Sequence, residues 1–368
     1  MRELNADDAR RGVLGGGVFA CGGGGWRRHG ELMGHLATSV GRPILATVDE
    51  LPADAWVATV TAIGAPAAKN WEIRPVDYVH ALQKLIDVCE HPIAAVMTAQ
   101  NGYSTTHNGW MQSAVLGVPV LDAAGDIRAH PTGKLGSMSL TSRLGYVSTQ
   151  VVSGGNRELH GHFLSVNQGS VQTCDDVLRD ISVRTGGFIA SARNPVELSW
   201  VKQHAALGAI SLALDLGHAM ESAAEKASNG ARGEAVVQAV CDTIGAREVS
   251  RGPLHHEVEL VTKGGWDHGT FRIGDCTVPY LNEYMAVERD GERVASYPDT
   301  IVVLRAEDGF PVAVEEARAG MDVVLLVADS TTLPLSTSAV DPVAVGECEE
   351  LMGMEFLRHL PTERGVAA

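Results

Sequence analysis

The 368-residue sequence lacks the features of several classes of protein. No apolar run approaches the ~18 residues that cross a bilayer, and the opening residues, MRELNADDARRG, lack the apolar core of a secretory signal. A formal net charge of −16, with 45 acidic residues against 29 basic ones, disfavours nucleic-acid binding, which needs clustered Lys and Arg. We therefore expect a cytoplasmic protein that binds neither a membrane nor a nucleic acid.

The six cysteines are scattered and form no Cys-x-x-Cys pair, so neither a disulfide framework nor a zinc ribbon is indicated. The motifs His-Glu-x-x-His and Gly-x-Ser-x-Gly are also absent, which leaves zincins and serine hydrolases without their signatures. The glycine spacing does not match the dinucleotide fingerprint, and no phosphate-binding loop occurs. We therefore expect no nucleotide cofactor.

Hydrophobic residues make up 45% of the chain and charged residues 20%, as in soluble globular proteins, and the length favours two domains. In the first part, strand-like and helix-like segments alternate, which is typical of an α/β domain with a mostly parallel sheet. Clear examples are strands at 56–63 and 92–98 on either side of a helix at 76–89. We place this first domain at residues 1–165.

The second half has a different pattern. Helices are predicted at 201–216 and 221–240, and short β-type runs dominate beyond Gly245. Asp-Gly pairs at 290–291 and 308–309 separate these runs as hairpin turns do. We therefore expect residues 166–368 to form a second domain that is α+β or mainly β.

A run of four glycines lies near the start of the chain. It comprises Gly22, Gly23, Gly24 and Gly25. Glycine is costly inside helices and strands, so the run should form a turn between a helix at 5–14 and a helix that ends at Gly41. The first N–H groups of the second helix would face this turn and favour a bound anion. The alternative is a loop that packs closely on a neighbouring strand.

Polar side chains follow several predicted strands, and in an α/β sheet the binding crevice lies beyond the carboxyl ends of the strands. We therefore expect these segments to gather at one place. The candidates are Glu72 after the second strand, Asn101 and His107 after the third, Asp122, Arg128 and His130 after the fourth, and Asn282 and Glu283 in the second half.

These residue types support two kinds of chemistry. Carboxylates and imidazoles at short spacing can bind a divalent cation or exchange protons as an acid–base pair. A guanidinium such as that of Arg128 can hold a carboxylate through two hydrogen bonds. For each segment the alternative is a solvated polar loop that satisfies its own backbone.

Taken in order, these segments resemble the S-methyl thiohydantoin desulfurase-like family, a bacterial, hydantoinase-associated family formerly described as a domain of unknown function. The glycine run matches its GTGGGG-type motif. Gly64-Ala65-Pro66 and Glu72 match its GAP element and following acid, and residues 116–131 (LGVPVLDAAGDIRAHP) match its LGLPVVDADGxGRAFPE stretch. Asn282-Glu283 and Pro298-Asp299 match its NE and PD elements.

The chain departs from the family pattern at several positions, which is typical of a divergent member. Gln100 stands where the EIGGLN-type loop has Glu, and Tyr103 replaces the second glycine of that loop. His130-Pro131-Thr132 replaces Phe-Pro-Glu, so that an acid is lost and an imidazole is gained.

The resemblance implies hydrolysis of a five-membered cyclic ureide or thioureide. Its most direct form is desulfuration of a thiohydantoin, of the kind formed in thiol-histidine breakdown, to a hydantoin with release of sulfide. Two alternatives stay open. One is a ring-opening amidohydrolase acting on hydantoins, and the other is a non-catalytic accessory subunit of a hydantoinase-type complex.

The same resemblance suggests roles for the candidate residues. Glu72 or His107 would activate water, and zinc or another divalent cation, bound by His107, Asp122 or His130, is the candidate cofactor. Arg128 would hold a substrate carboxylate or ring carbonyl. The glycine amides and Asn101 would contact the substrate, and Asn282 and Glu283 would close the cleft from the second domain. We also expect a homo-oligomer.

Overall fold

The computed structural model describes residues 1–65, 67–228 and 230–361. Its helices are α1 (Ala6–Phe19), α2 (Arg27–Val40), α3 (Pro75–Val88), α4 (Trp110–Leu116), α5 (Arg157–His160), α6 (Val171–Arg184), α7 (Leu198–His204), α8 (Ala209–Lys226), α9 (Arg232–Ile244) and α10 (Pro342–Met352). Pro66 of the Gly-Ala-Pro element lies outside the described residues.

The strands fall into two sheets. Those of the first are β1 (Arg2–Glu3), β2 (Ile44–Ala46), β3 (Trp56–Gly64), β4 (Ile93–Thr98), β5 (Val120–Ala124), β6 (Ser148–Gly154), β7 (Phe163–Gly169), β8 (Phe188–Glu197) and β9 (Ala206–Leu207). Those of the second are β10 (Arg247–Lys263), β11 (Trp266–Ile273), β12 (Cys276–Leu281), β13 (Glu283–Tyr284), β14 (Ala286–Arg289), β15 (Glu292–Ser296), β16 (Thr300–Arg305) and β17 (Asp322–Ala328).

The first sheet has the order β1-β2-β5-β4-β3-β8-β6-β7, with β9 paired to β5. Strands β2, β5, β4 and β3 run parallel, and antiparallel strands extend the sheet on both sides. The predicted fold class, an α/β first domain followed by an α+β or mainly β second domain, is confirmed. The first sheet takes strands from both sides of residue 165, and the domain boundary stays a prediction.

Helices cover both faces of the first sheet. Residues of α1, α2, α3, α4 and α8 share one hydrophobic cluster with its central strands. Helices α6 and α7 contribute to the clusters on the opposite face. Helices α8 and α9, with the end of α1, also pack against β16 and β17 of the second sheet, so one apolar core joins the two sheets.

The first helix is longer than predicted. It was expected to end at residue 14, but α1 continues to Phe19 and includes Gly15, Gly16 and Gly17. A side chain at Gly15 would overlap the backbone of Ala213 in α8, and one at Gly17 would meet the ring of Tyr103. Close packing against neighbouring elements thus outweighs the low helix propensity of glycine.

The helix predicted at 201–216 is divided in the structure. Helix α7 ends at His204, β9 follows, and Gly208, with φ of +73°, precedes α8. Helix α8 then continues to Lys226, so the predicted boundary at 221 falls inside it. The break at β9 was not visible in the apolar pattern, because it is made by pairing with β5, which is distant in the chain.

None of the helices in the described ranges has both the length and the apolar character needed to cross a membrane.

The contact between α1 and α8 gives a first prediction. We expect Gly15→Ala to destabilise the protein by about 2 kcal/mol or more, because the added methyl group forces the two helix backbones apart. The matched control is Gly346→Ala in α10, where the nearest atom to an added methyl group is 4.0 Å away. There alanine should stabilise by about 1 kcal/mol through helix propensity. Urea unfolding measures both, and equal stability of Gly15→Ala and wild type would contradict the packing argument.

Candidate active site

A narrow cleft lies at the carboxyl ends of the parallel strands, between the first sheet and the second domain. Its walls include 61–64 at the end of β3, 99–100 after β4, 130–133 after β5, and Gly24, Gly25, Thr105, Arg179, Phe188, Arg193, Asn282 and Glu283. The expectation that polar segments after neighbouring strands gather at one place is confirmed for those after β4 and β5. The free volume is about 40 Å³, enough for about three water molecules.

The second domain docks on the backbone of the glycine run. The carbonyl of Cys21 accepts a hydrogen bond from Tyr284 N at 2.6 Å, and that of Gly22 accepts one from Val314 N at 2.8 Å. Gly22 has φ of +88°, and the ring of Tyr284 lies where its side chain would be. The run is therefore a closely packed loop, the alternative considered for it, as well as one wall of the cleft.

Glu283 projects from the second domain onto this loop. A side chain at Gly23 would overlap the Glu283 carboxylate, and the backbone N–H of Gly24 donates a hydrogen bond to it. Thus the acidic group that faces the glycine amides belongs to the protein itself. The second carboxylate oxygen, Oε2, is buried and has no hydrogen-bond partner among the described residues.

Burial raises the pKa of Glu283 to about 8, although Arg128, the Gly24 N–H and Arg179 all favour the ionised form. Only 2% of the residue is exposed. Most molecules therefore hold a proton on this carboxyl group at neutral pH, and a minority have it ionised. A carboxyl group in this state can both donate and accept a proton near neutrality.

Asn282 fixes the direction in which Glu283 points. It has φ of +59°, its backbone N–H donates to the carbonyl of Asp267, and its Oδ1 accepts from the Asp267 N–H, each at 2.8 Å. The Asp267 carboxylate also accepts a hydrogen bond from Ala67 N at 2.8 Å, in the loop after β3. Asn282 lines the cleft as predicted, and in the structure it positions its neighbour.

Two buried guanidiniums supply positive charge. Arg179 of α6 donates to the carbonyls of Gly64, Gly265 and Pro131, and Arg193 of β8 donates to Asp175 at 2.9 Å. The Nε atoms of both arginines are buried without a partner among the described residues. The cleft therefore holds more guanidinium charge than its carboxylates balance.

His130 also lines the cleft and belongs to a buried polar group. Its Nδ1 lies 3.7 Å from Asp126 Oδ2, and the hydroxyl of Tyr297 donates to that same oxygen at 2.9 Å. Burial, followed by the charge of Arg193, lowers the pKa of His130 to about 3, so the imidazole is neutral. Burial raises the pKa of Asp126 to about 7.

The structure places His107 and Asn101 away from the cleft walls. His107 is fully buried between α1 and α2, its Nε2 lies 2.9 Å from the carbonyl of Ala9, and burial lowers its pKa to about 4. Asn101 donates to the carbonyl of Ala209 and accepts from Thr106. Both side chains link the loop after β4 to neighbouring helices.

Three further candidates hold elements together. Asp122 accepts hydrogen bonds from the N–H groups of Ile210 and Ser211, at the start of α8. Arg128 is buried and donates to the carbonyls of Ala129, Tyr284 and Asp299, which ties the loop after β5 to the second domain. Glu72 forms ion pairs with Arg74 and Arg157. None of these three residues lines the cleft, and neither does His107. The expected convergence with the glycine run is therefore wrong for Glu72 and His107. Arg128 does lie beside the run, because it donates to Tyr284, whose N–H donates to Cys21, and its charge favours ionised Glu283.

The predicted zinc ligands do not fit a metal. His107, Asp122 and His130 contact different elements and do not share a centre. Across the described parts of the chain, no group of three or more His, Cys, Asp or Glu residues is placed to hold a metal ion.

Sequence reasoning missed Arg179 and Arg193. A signal was present in the pattern of α6, where Asp175 and Arg179 fall among the buried positions Cys174, Leu178 and Ser182. In β8, Arg193 lies on the same face of the sheet as Ile189 and Ser191, because every second residue of a strand faces the same way. A charge at a core-facing position needs a buried partner, which marks both residues as candidates.

The fold and this cleft define a two-domain α/β protein with a buried polar site at the domain interface. Family models for the "S-Me-THD-like, N-terminal domain" and the "S-Me-THD-like, C-terminal domain" match residues 7–158 and 169–343. The chain belongs to the S-Me-THD-like family. A crystal structure of a protein from Chromobacterium violaceum is similar over 97% of this chain and 98% of that one, with 20% identity and a TM-score of 0.72, which establishes the shared fold. No curated protein matches the chain.

The raised pKa of Glu283 gives a second prediction. A carboxyl group whose pKa is higher in the folded state stabilises the fold fully below its ordinary pKa of 4.5, and this contribution is lost as the pH rises towards about 8. Glutamine does not ionise, so Glu283→Gln should unfold with a flatter dependence on pH. The difference in free energy of unfolding between wild type and variant should change by a few kcal/mol between pH 5 and 8. This is the order of magnitude that such a pKa shift gives.

Urea unfolding at several pH values measures this difference. The control is Glu72→Gln, because hydrogen bonds and nearby arginines lower the pKa of Glu72, the opposite direction. The stability of Glu72→Gln should still fall towards pH 8, as that of the wild type does. If the free energy of unfolding depends on pH in the same way in wild type and Glu283→Gln, the raised pKa of Glu283 is contradicted.

Proposed function

We propose that the protein hydrolyses a five-membered cyclic thioureide, replacing the thioxo sulfur of a thiohydantoin with oxygen and releasing sulfide. The observation that carries the proposal is Glu283, a buried carboxyl group with a pKa of about 8 in a cleft that also holds two guanidiniums. A carboxyl group that titrates near neutral pH suits general acid–base catalysis. Membership of the S-Me-THD-like family supports a thiohydantoin as the substrate.

In the proposed reaction, ionised Glu283 takes a proton from water as the water oxygen bonds to the thioxo carbon. The electron pair of the C=S double bond moves onto sulfur, and the C–S bond then breaks as the carbonyl forms. Sulfur leaves as hydrosulfide, and water supplies the new oxygen and the protons. The step requires neither an oxidant nor a reductant.

The guanidiniums have two uses in this scheme. The Arg179 Nε–H, buried and without a protein partner among the described residues, is a donor for the negative charge that develops on sulfur. The excess positive charge of Arg179 and Arg193 favours a ring that carries an anionic group. A five-membered ring exceeds a free volume of about 40 Å³, so binding requires the lining loops to move apart.

The third prediction tests the role of Glu283. We expect Glu283→Gln to lower the rate of sulfide release by about 10²–10⁴-fold, the usual contribution of a general acid or base. In wild type, kcat/KM should rise with pH up to about 8, because the ionised carboxylate is the active form. Methylene-blue detection of sulfide from a 2-thiohydantoin, measured from pH 5 to 9, gives both quantities.

Glu72→Gln is the matched control, since it makes the same chemical change outside the cleft and should retain near wild-type kcat. Folding of each variant is checked by circular dichroism. Loss of activity in Glu72→Gln with normal rates in Glu283→Gln would overturn the assignment of the base. Ring opening without sulfide release, or no turnover by wild type, would reject desulfuration in favour of one of the alternatives.

A further inference from the structure

A second group of polar side chains lies behind the cleft, between the first sheet and α6. Arg193 of β8 is directly opposite Thr59 of β3 and Gln150 of β6, so these three side chains form a row on one face of the sheet. Ser191, two residues before Arg193 on the same strand, shares that face. Because Arg193 pairs with Asp175 of α6, the row faces that helix.

Each of these four side chains is buried with an unused polar atom. Thr59, Gln150, Ser191 and Arg193 are 0–3% exposed. Within the described chain, Thr59 Oγ1, Gln150 Oε1, Ser191 Oγ and Arg193 Nε have no hydrogen-bond partner. Buried polar atoms in native proteins are nearly always hydrogen-bonded, to protein or to ordered water, so four neighbouring exceptions point to a ligand.

The mixture of donors and acceptors indicates which ligand. The Arg193 Nε–H can only donate and Gln150 Oε1 can only accept, whereas the two hydroxyl groups can do either. Water donates and accepts, and buried water typically makes about three hydrogen bonds to such groups. An inorganic anion accepts only and would be repelled by the Gln150 oxygen.

The row is continuous with the cleft. Arg193 itself lines the cleft, as does Thr61, which lies directly opposite Ser191. Thr132 lines the cleft as well and has a buried hydroxyl without a partner in the described residues. Its neighbour Gly133 packs against the Arg193 guanidinium.

We propose that Thr59, Gln150, Ser191 and Arg193 form an internal hydration site that holds ordered water next to the cleft. This water is part of the folded structure and needs no substrate. The site would also supply the water that attacks the thioxo carbon, and this second role rests on the proposed function.

The sign of a stability change tests the hydration site. Thr59→Val replaces the hydroxyl with a methyl group of nearly the same size. If water is bound, the variant leaves that water with fewer partners, and the urea midpoint should fall. If the hydroxyl is buried dry, removing it relieves an unpaired polar group, and the midpoint should rise.

Ser191→Ala repeats the test at a second position, and Thr98→Val is the matched control. The Thr98 hydroxyl donates to the carbonyls of Gln100 and Thr105. The urea midpoint of Thr98→Val therefore shows how far the midpoint falls when a hydrogen-bonded threonine hydroxyl is removed. A crystal structure of the full chain should show water within hydrogen-bond distance of both Thr59 Oγ1 and Arg193 Nε. No such density, together with a raised midpoint for Thr59→Val and Ser191→Ala, would overturn the site.

The supply of water to the reaction has a separate readout. Thr59→Val should lower kcat for sulfide release several-fold while KM stays near the wild-type value, because substrate contacts are untouched. An unchanged kcat would overturn the supply role. If no thiohydantoin is turned over, the proposed function fails on its own assay, and crystallography and unfolding still decide the hydration site.

Discussion

The structure depends on the close approach of the glycine run to the second domain. The carbonyls of Cys21 and Gly22 accept hydrogen bonds from Tyr284 and Val314, and this approach requires glycine where Tyr284 and Glu283 press against the loop. Arg128 reinforces it by donating to carbonyls of the second domain. Because the docking uses backbone atoms, it sets the position of Glu283 in the cleft independently of most side chains.

The same approach explains how a carboxyl group comes to be buried beside cations and still titrates near neutrality. The Gly24 N–H and the guanidiniums favour ionised Glu283, but desolvation is larger and holds its pKa at about 8. Asn282 contributes by holding a left-handed backbone conformation through two hydrogen bonds to Asp267. The proton-exchanging group is thus the first residue of β13, and its strained support, Asn282, is the residue that connects β12 to β13.

The sequence was sufficient to predict the α/β pattern, the turn at the glycine run and the edge of the sheet where a cleft forms, because these follow from local patterns. It was insufficient for the roles of individual residues. Asp122 follows a strand, as a catalytic acid would, yet it holds the start of α8, which is distant in sequence. His107 has the right side chain for catalysis but is packed between helices. Such differences depend on long-range packing, which residue type and spacing do not encode.

The charges of the cleft couple ligand binding to the proton of Glu283. Arg128 and Arg179 donate to backbone carbonyls, which accept these hydrogen bonds without cancelling the charge of the guanidiniums. Ionised Glu283 and an anionic ligand would both be attracted by that charge and would repel each other. Binding an anionic ring beside Arg179 therefore raises the pKa of Glu283, so the complex reaches the ionised, basic form at a higher pH than the free protein does. The charge state of the ligand is thus a determinant of the chemistry that this carboxyl group can perform.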